Sequence, residues 1–90
     1  IHGLTTQGLG VFVDQNRSEL VVINNSDVHL KDIKLYDLLG KEVQYWLDTD
    51  QESEGKNRYK LKRNIAEGIY VVQINTSNGL KGGRLYINLE

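Results

Sequence analysis

The sequence predicts an all-β fold, a small antiparallel β-sandwich of about seven short strands. Runs of β-branched and aromatic residues alternate with polar turns roughly every 8–12 residues, which is the spacing typical of such sandwiches. No segment keeps a helical periodicity for more than about two turns. The chain has 90 residues, enough for one hydrophobic core but not for a second.

Composition excludes several classes of function. The 11 basic and 12 acidic side chains leave a net charge of −1, which argues against a nucleic-acid partner. There is no cysteine, so disulfide and thiolate chemistry are absent. No apolar run approaches the ~20 residues that a membrane-spanning helix needs, and no stable membrane insertion is expected.

The first quarter of the chain predicts a lead-in followed by a hairpin. Residues 1–10 are rich in glycine and lack periodicity, so we interpret them as a lead-in or linker before a domain at residues 11–88. Val11–Val13 predicts a strand, and Glu19–Asn24 predicts a second strand that is apolar on both faces and therefore central. The residues between them have turn composition.

The middle of the chain predicts a strand, a tight turn and a second strand. Ile33 and Leu35 alternate with polar neighbours over residues 32–37, as in a half-buried strand. Asp37 is expected to accept bonds from backbone amides two residues on, and Gly40 to take a positive φ, which together reverse the chain. Tyr36 is expected to brace this turn together with Asp37. Residues 42–46 then form the fourth strand.

The second half predicts three further strands. Residues 47–57 are interpreted as the longest loop, and residues 58–61 as a strand with a solvated outer face. Ile69–Asn75 is the densest in β-formers and so a central strand, entered through Gly68, which is expected to supply a backbone conformation that other residues would strain. The last strand covers residues 80–88. It follows a type I′ turn centred on Asn78-Gly79 and is predicted to carry a bulge at Gly82-Gly83. We interpret Leu89 and Glu90 as residues derived from a purification tag.

Two charged segments have alternative interpretations. Residues 48–55 place carboxylates at alternate positions, either as a solvated acidic loop or as a Ca²⁺ site, and the first is favoured because the EF-hand spacing is absent. The basic stretch after it is either an anion-binding patch or an exposed strand face that discourages aggregation, and the second is favoured. It comprises Lys56, Arg58, Lys60, Lys62 and Arg63.

No catalytic, cofactor-binding or metal-binding residues are predicted. The histidines at positions 2 and 29 lack a second ligand at metal-binding spacing. Neither Gly8-Leu9-Gly10 nor Gly82-Gly83 precedes a helix whose N-terminus would bind phosphate. Four aromatic residues are open to two interpretations, a stacking surface for sugars or packing within the sandwich, and the second is favoured. They are Tyr36, Tyr45, Trp46 and Tyr59.

Two blocks resemble the C-terminal sorting domains of the type IX (Por) secretion system. They are IKLYDLLGKEV at residues 33–43 and IAEGIYVVQINTSNGLKGGRLYI at residues 65–87, in the order and separation that the family shows. The resemblance implies an Ig-like sandwich that is recognised as cargo by the outer-membrane secretion machinery of Bacteroidetes. It also implies cargo domains N-terminal to this chain, and a secreted or cell-surface protein that travels through the periplasm of a Gram-negative bacterium.

On this basis we expect a non-catalytic sorting domain without a cofactor, recognised through the 38–41 turn and the last hairpin and strand, residues 77–87. The alternative is an Ig-like adhesive or carbohydrate-binding accessory module of a surface protein. The sequence does not define an oligomeric state. The resemblance points to these motif residues: Tyr36, Asp37, Gly40, Lys41, Gly68, Tyr70, Asn78 and Gly79.

Overall fold

The structure is a computed structural model that describes residues 3–6, 9–24, 29–47, 56–62 and 64–89. These residues form two antiparallel sheets, which confirms the predicted all-β sandwich. No helix in the described ranges is long and apolar enough to cross a membrane. The strands are β1 (Gly3–Thr6), β2 (Leu9–Asp14), β3 (Glu19–Asn24), β4 (Leu30–Tyr36), β5 (Glu42–Leu47), β6 (Lys56–Lys60), β7 (Gly68–Thr76) and β8 (Gly79–Ile87).

The strand order is that of an Ig-like sandwich. The first sheet has the order β1-β2-β3-β6 and the second sheet has the order β5-β4-β7-β8. The chain therefore changes sheets between β3 and β4, between β5 and β6, and between β6 and β7, which is a Greek-key pattern. As predicted, β3 and β7 are central strands, and β4 is central too.

The core lies between the two sheets and is built from alternate residues of each strand. Ile33 and Leu35 of β4 are fully buried, as are Val72 and Ile74 opposite them on β7. Leu20 and Val22 contribute from the first sheet, together with other apolar side chains. This arrangement confirms the inward face that the alternation in residues 32–37 predicted.

The predicted lead-in contains strand structure. β1 pairs with β2 from Gly3 opposite Phe12 to Thr6 opposite Leu9, and it also lies against β8 of the second sheet. β2 correspondingly begins at Leu9 instead of Val11. A strand of only four residues shows no readable alternation, and its stability comes from backbone pairing with β2, which the sequence does not reveal.

The β6 strand begins at Lys56, earlier than the predicted Arg58. The reason is Asn57, which pairs with Val22 and points into the core, where its amide donates a 3.0 Å hydrogen bond to the Tyr59 hydroxyl. A polar residue with a buried partner behaves as an inward-facing strand residue. The acidic segment at residues 48–55 lies outside the described residues, so the Ca²⁺ alternative stays a prediction.

The hairpin between β7 and β8 differs from the predicted type I′ turn. Thr76 pairs with Gly79, so Ser77 and Asn78 are the central residues, and neither has the positive φ that type I′ requires. The positive φ, 108°, falls on Gly79. This is the type of hairpin loop in which a turn without positive φ values is followed by a glycine in the left-handed conformation.

The predicted bulge at Gly82-Gly83 is wrong, because the β7–β8 register runs without a shift from Gly68 opposite Ile87 to Thr76 opposite Gly79. Gly82 has a different role. A Cβ atom at this position would lie 2.5 Å from the carbonyl oxygen of Val72. The glycine is required because the two backbones approach too closely for a side chain.

Candidate recognition surface

The turn between β4 and β5 is fixed by the Asp37 side chain. Its Oδ1 accepts 2.9 Å hydrogen bonds from the amides of Leu39 and Lys41, and the Asp37 amide donates to the Lys41 carbonyl at 2.9 Å. Gly40 has a φ of 86°, a conformation that other residues rarely adopt. Both conformational predictions for this turn are confirmed.

This fixed turn presents two leucines to solvent. Leu38 is 58% exposed and Leu39 is 94% exposed. Four hydrogen bonds hold the surrounding backbone, the fourth from the Gly40 amide to the Asp37 carbonyl at 3.1 Å, so ordering these side chains against a partner costs little additional backbone entropy. The Leu38-Leu39 pair is therefore an exposed apolar patch on a pre-organised turn.

The two tyrosines of the motifs have separate structural roles. Tyr36 does not brace the turn, because its hydroxyl donates instead to Oε1 of Gln73 on the neighbouring strand, at 3.3 Å. Tyr70 is 7% exposed, and its hydroxyl donates a 2.5 Å bond to the carbonyl oxygen of Ala66. The second contact ties the β6–β7 connection to the start of β7, as in the tyrosine corner of Ig-like sandwiches.

The glycines of the motifs are not equivalent. Gly40 and Gly79 have positive φ values, 86° and 108°, as expected. Gly68 does not, and a Cβ atom there would meet nothing within 4 Å. The expectation that Gly68 supplies a conformation other residues would strain is wrong, because it simply begins β7 in extended pairing with Ile87.

The register places the motif residues at two ends of the second sheet. Tyr36 pairs with Val71 near the start of β7, so the Asp37 turn lies at the same end as Gly68 and Tyr70. Asn78 and Gly79 lie at the opposite end, where Thr76 is opposite Leu30. β7 has nine residues, so the two ends are separated by about 25 Å. Of the two segments expected to carry recognition, the 38–41 turn lies at one end of the sheet. Residues 77–87 begin at the opposite end and run along β8 to Ile87, which pairs with Gly68.

Comparison with known families gives one match. Residues 16–88 match the family described as secretion system C-terminal sorting domain. The chain belongs to the type IX sorting domain family. A comparison with curated proteins returns no match.

Membership has direct consequences for the wider context of this sorting domain. The family is that of Bacteroidetes, and it implies a secreted or cell-surface protein. It further implies a larger parent protein and involvement with the type IX machinery. Its members are known as sorting signals and are not known as catalysts.

The aromatic residues of the sorting domain do not form one platform. The rings of Trp46 and Tyr59 pack against each other with centroids 5.7 Å apart, and the Trp46 Nε1 donates to the Lys60 carbonyl at 3.1 Å. Tyr36 and Tyr45 instead point away from the core, and the Lys34 ammonium lies 5.7 Å from the centre of the Tyr45 ring. The interpretation as packing residues therefore holds for Trp46 and Tyr59, whose rings meet between the edge strands β5 and β6 of the two sheets.

The basic stretch is engaged within the fold. Arg58 forms ion pairs with Asp14 at 3.3 Å and Glu19 at 3.2 Å on the outer face of the first sheet. Hydrogen bonds to these carboxylates, with Glu19 the larger cause, raise the pKa of Arg58. The Nζ atoms of Lys60 and Lys62 donate to backbone carbonyls, each at 2.9 Å. Arg63 lies outside the described residues, and no cluster of potential metal ligands occurs within the described ranges.

One set of surface residues was not singled out from the sequence. Ile69, Leu80 and Tyr86 are 45%, 64% and 39% exposed, and all three lie on the second sheet. The sequence did contain a signal for this surface, since each of these hydrophobic residues occupies an outward position of a predicted strand. A hydrophobic side chain at such a position marks a candidate contact surface only when several of them share one face.

Proposed function

We propose that this chain is a non-catalytic sorting domain that directs N-terminal cargo domains across the outer membrane to the cell surface. Membership of the family over residues 16–88 carries the proposal. We further propose that the machinery reads the folded domain at the β4–β5 turn, with the Leu38-Leu39 pair as its main apolar anchor, and at the last hairpin and strand as a second contact region.

Two features of the structure support this mode of recognition. The Leu38-Leu39 pair is highly exposed, and it lies on a turn whose backbone is fixed by Asp37. Leucines in this position add nothing to the folded core, whereas a binding partner would bury them and remove apolar surface from water. Each leucine buried on binding stabilises the complex by about 1–3 kcal/mol.

An export assay tests the proposal. Residues 1–90 are fused behind a periplasmic reporter in a type IX-competent host, and surface and culture-medium reporter are compared with those in a host lacking the secretion pore. Export of the wild-type fusion, and its loss in the second host, is the expected result. A reporter that stays in the periplasm of the competent host contradicts the sorting role.

The anchor is tested by the double substitution Leu38→Ser and Leu39→Ser in the same fusion. We expect export to fall by about tenfold or more, because two buried leucines are lost from the complex. The matched control is Asn16→Ala, at an exposed turn of the first sheet. Chemical denaturation of both purified variants establishes that they stay folded. Unchanged export of the folded double variant contradicts the anchor but not the sorting role.

A further inference from the structure

Exposed apolar side chains are distributed unequally between the two faces of the sandwich. Every large hydrophobic side chain that is strongly exposed in the described ranges belongs to the second sheet or to the turn at its end. The outer face of the first sheet is instead covered by the ion pairs of Arg58 with Asp14 and Glu19, and Val21 beneath them is fully buried. The second sheet therefore has an uncovered face, defined as its side chains that point away from the core.

The register arranges this uncovered face in rows across the four strands. Residues paired across antiparallel strands point to the same side of a sheet. One row runs Glu42, Tyr36, Val71, Arg84 from β5 to β8. The β4–β5 register shifts between Leu35 and Tyr36, and the Glu42 side chain is placed on this face by its 4.0 Å approach to the Nζ of Lys34, whose strand position points outward. The next row begins with Tyr45 on β5 and ends with Gly82 on β8. Acidic Glu42 and basic Arg84 therefore stand at opposite ends of the first row. Tyr45, which has a large side chain, and Gly82, which has none, stand at opposite ends of the second row.

We propose that the uncovered face binds the same face of a second copy of this chain, about a two-fold axis parallel to the strands. Such an axis keeps each row at its level and reverses the strand order, so β5 lies over β8 of the second copy and β4 over its β7. Glu42 then meets Arg84 of the second copy, twice per dimer. Tyr45 lies over Gly82 of the second copy, the one position of this row without a side chain.

The charged residues of this arrangement are available for it. Arg84 is exposed and forms no ion pair with any described residue. Glu42 has a side chain that is 50% exposed, and its nearest cation is the Nζ of Lys34 at 4.0 Å, the limit of an ion pair. The Glu42–Lys34 contact within one chain therefore does not compete strongly with a direct contact between Glu42 and Arg84 of the second copy.

The size of the face sets the expected strength of the dimer. Four strands about 4.8 Å apart and some 25 Å long give a contact smaller than the ~800 Å² per partner of a standard interface. The dimer is therefore weak and concentration-dependent. This inference does not depend on the sorting role, because it rests only on the arrangement of charge and size on one face.

Sedimentation velocity on the 90-residue chain tests the dimer. We expect the sedimentation coefficient of the wild type to rise between about 10 μM and 1 mM, the range in which a small interface associates. Glu42→Arg and Arg84→Glu each place like charges opposite one another, so each variant alone should associate at least about tenfold more weakly. Asn16→Arg, in the exposed turn between β2 and β3 of the first sheet, is the control and should associate as the wild type does.

A mixture of the two charge variants separates this geometry from general charge effects. The two-fold axis places the arginine introduced at position 42 of one variant opposite the glutamate introduced at position 84 of the other. The unchanged Arg84 of the first variant then meets the unchanged Glu42 of the second. We expect the equimolar mixture, and likewise the double variant, to recover the association of the wild type. A wild type that stays monomeric, or a mixture that associates no better than its components, overturns the proposal and leaves this face to a different protein partner.

Discussion

The hydroxyl of Tyr70 donates a 2.5 Å hydrogen bond to the carbonyl oxygen of Ala66, four residues earlier in the chain. The contact joins a buried ring at the start of β7 to an exposed connection that carries no regular pairing of its own. It thereby fixes the point at which the chain returns from the first sheet to the second.

Removing this hydroxyl is expected to loosen the β6–β7 connection. Tyr70→Phe keeps the buried ring and loses one hydrogen bond, so the free energy of unfolding should fall by about 1 kcal/mol. Urea denaturation measures the change. Tyr45→Phe is the matched control, since the Tyr45 side chain is 47% exposed, and its unfolding free energy should stay unchanged. Equal effects of the two substitutions would contradict the role assigned to Tyr70.

The Asp37 carboxylate is expected to stabilise the β4–β5 turn. Asp37→Ala leaves the amides of Leu39 and Lys41 without their acceptor and should lower the unfolding free energy by about 1–2 kcal/mol. Asp37→Asn keeps a side-chain oxygen in place and should retain most of the stability. Thermal or urea unfolding of both variants measures the difference, and an asparagine variant as unstable as the alanine variant would contradict acceptance at Oδ1.

Gly40 and Gly68 should respond oppositely to alanine. Gly40→Ala forces a side chain into a φ of 86° and should cost about 1–2 kcal/mol of unfolding free energy. Gly68→Ala places its Cβ in open space without a positive φ, so stability should stay level or rise by up to about 1 kcal/mol, because the unfolded chain becomes less flexible. The same denaturation series measures both, and a strongly destabilised Gly68→Ala variant would contradict this account.

Gly82 is expected to be intolerant of any side chain. The new Cβ of Gly82→Ala would lie 2.5 Å from the Val72 carbonyl oxygen, so β7 and β8 must move apart. We expect a loss of about 1–3 kcal/mol in unfolding free energy. Faster amide hydrogen exchange confined to β7 and β8 would locate the effect, whereas wild-type exchange in these strands would count against the close approach.

The contact between Tyr86 and Glu67 predicts a loss of stability at alkaline pH. The hydrogen bond to Glu67, followed by desolvation, raises the pKa of the Tyr86 phenol above its ordinary value of 10.0. The unfolded chain then loses this proton at a lower pH than the folded chain does. The contribution of the Tyr86–Glu67 contact to the free energy of unfolding is therefore fully present below about pH 10. It is lost as the pH rises through the pKa that Tyr86 has in the folded chain.

Tyr86→Phe removes this titration, so the denaturation midpoint of the variant should fall less steeply above about pH 10 than that of the wild type. Glu67→Gln, which keeps a hydrogen-bond acceptor but no charge, should give an intermediate slope. Parallel pH profiles for all three proteins would contradict a raised pKa at Tyr86. Phenolate absorbance of the folded wild type and of Tyr86→Phe reports the same titration directly.

Local chemistry predicted most of the fold. The alternation through Ile33 and Leu35 identified the inward face of β4, and the Asp37-to-Gly40 spacing identified its turn, because both depend on residues next to each other in the chain. Asn78-Gly79 marked a hairpin correctly but not its type, because the turn type depends on which residue pair closes the loop. That pair is set by the register of the entire β7–β8 ladder.

The sequence by itself determined the all-β class, the central strands, the tight turn at Asp37 and membership of the sorting domain family. These follow from alternation, turn chemistry and short motifs, all of which are local. Only the tertiary structure decided that β1 completes the first sheet, that Arg58 is held by Asp14 and Glu19, and that the exposed apolar residues share one face. Each of these depends on strand pairing between distant segments, whose order and register no local pattern specifies.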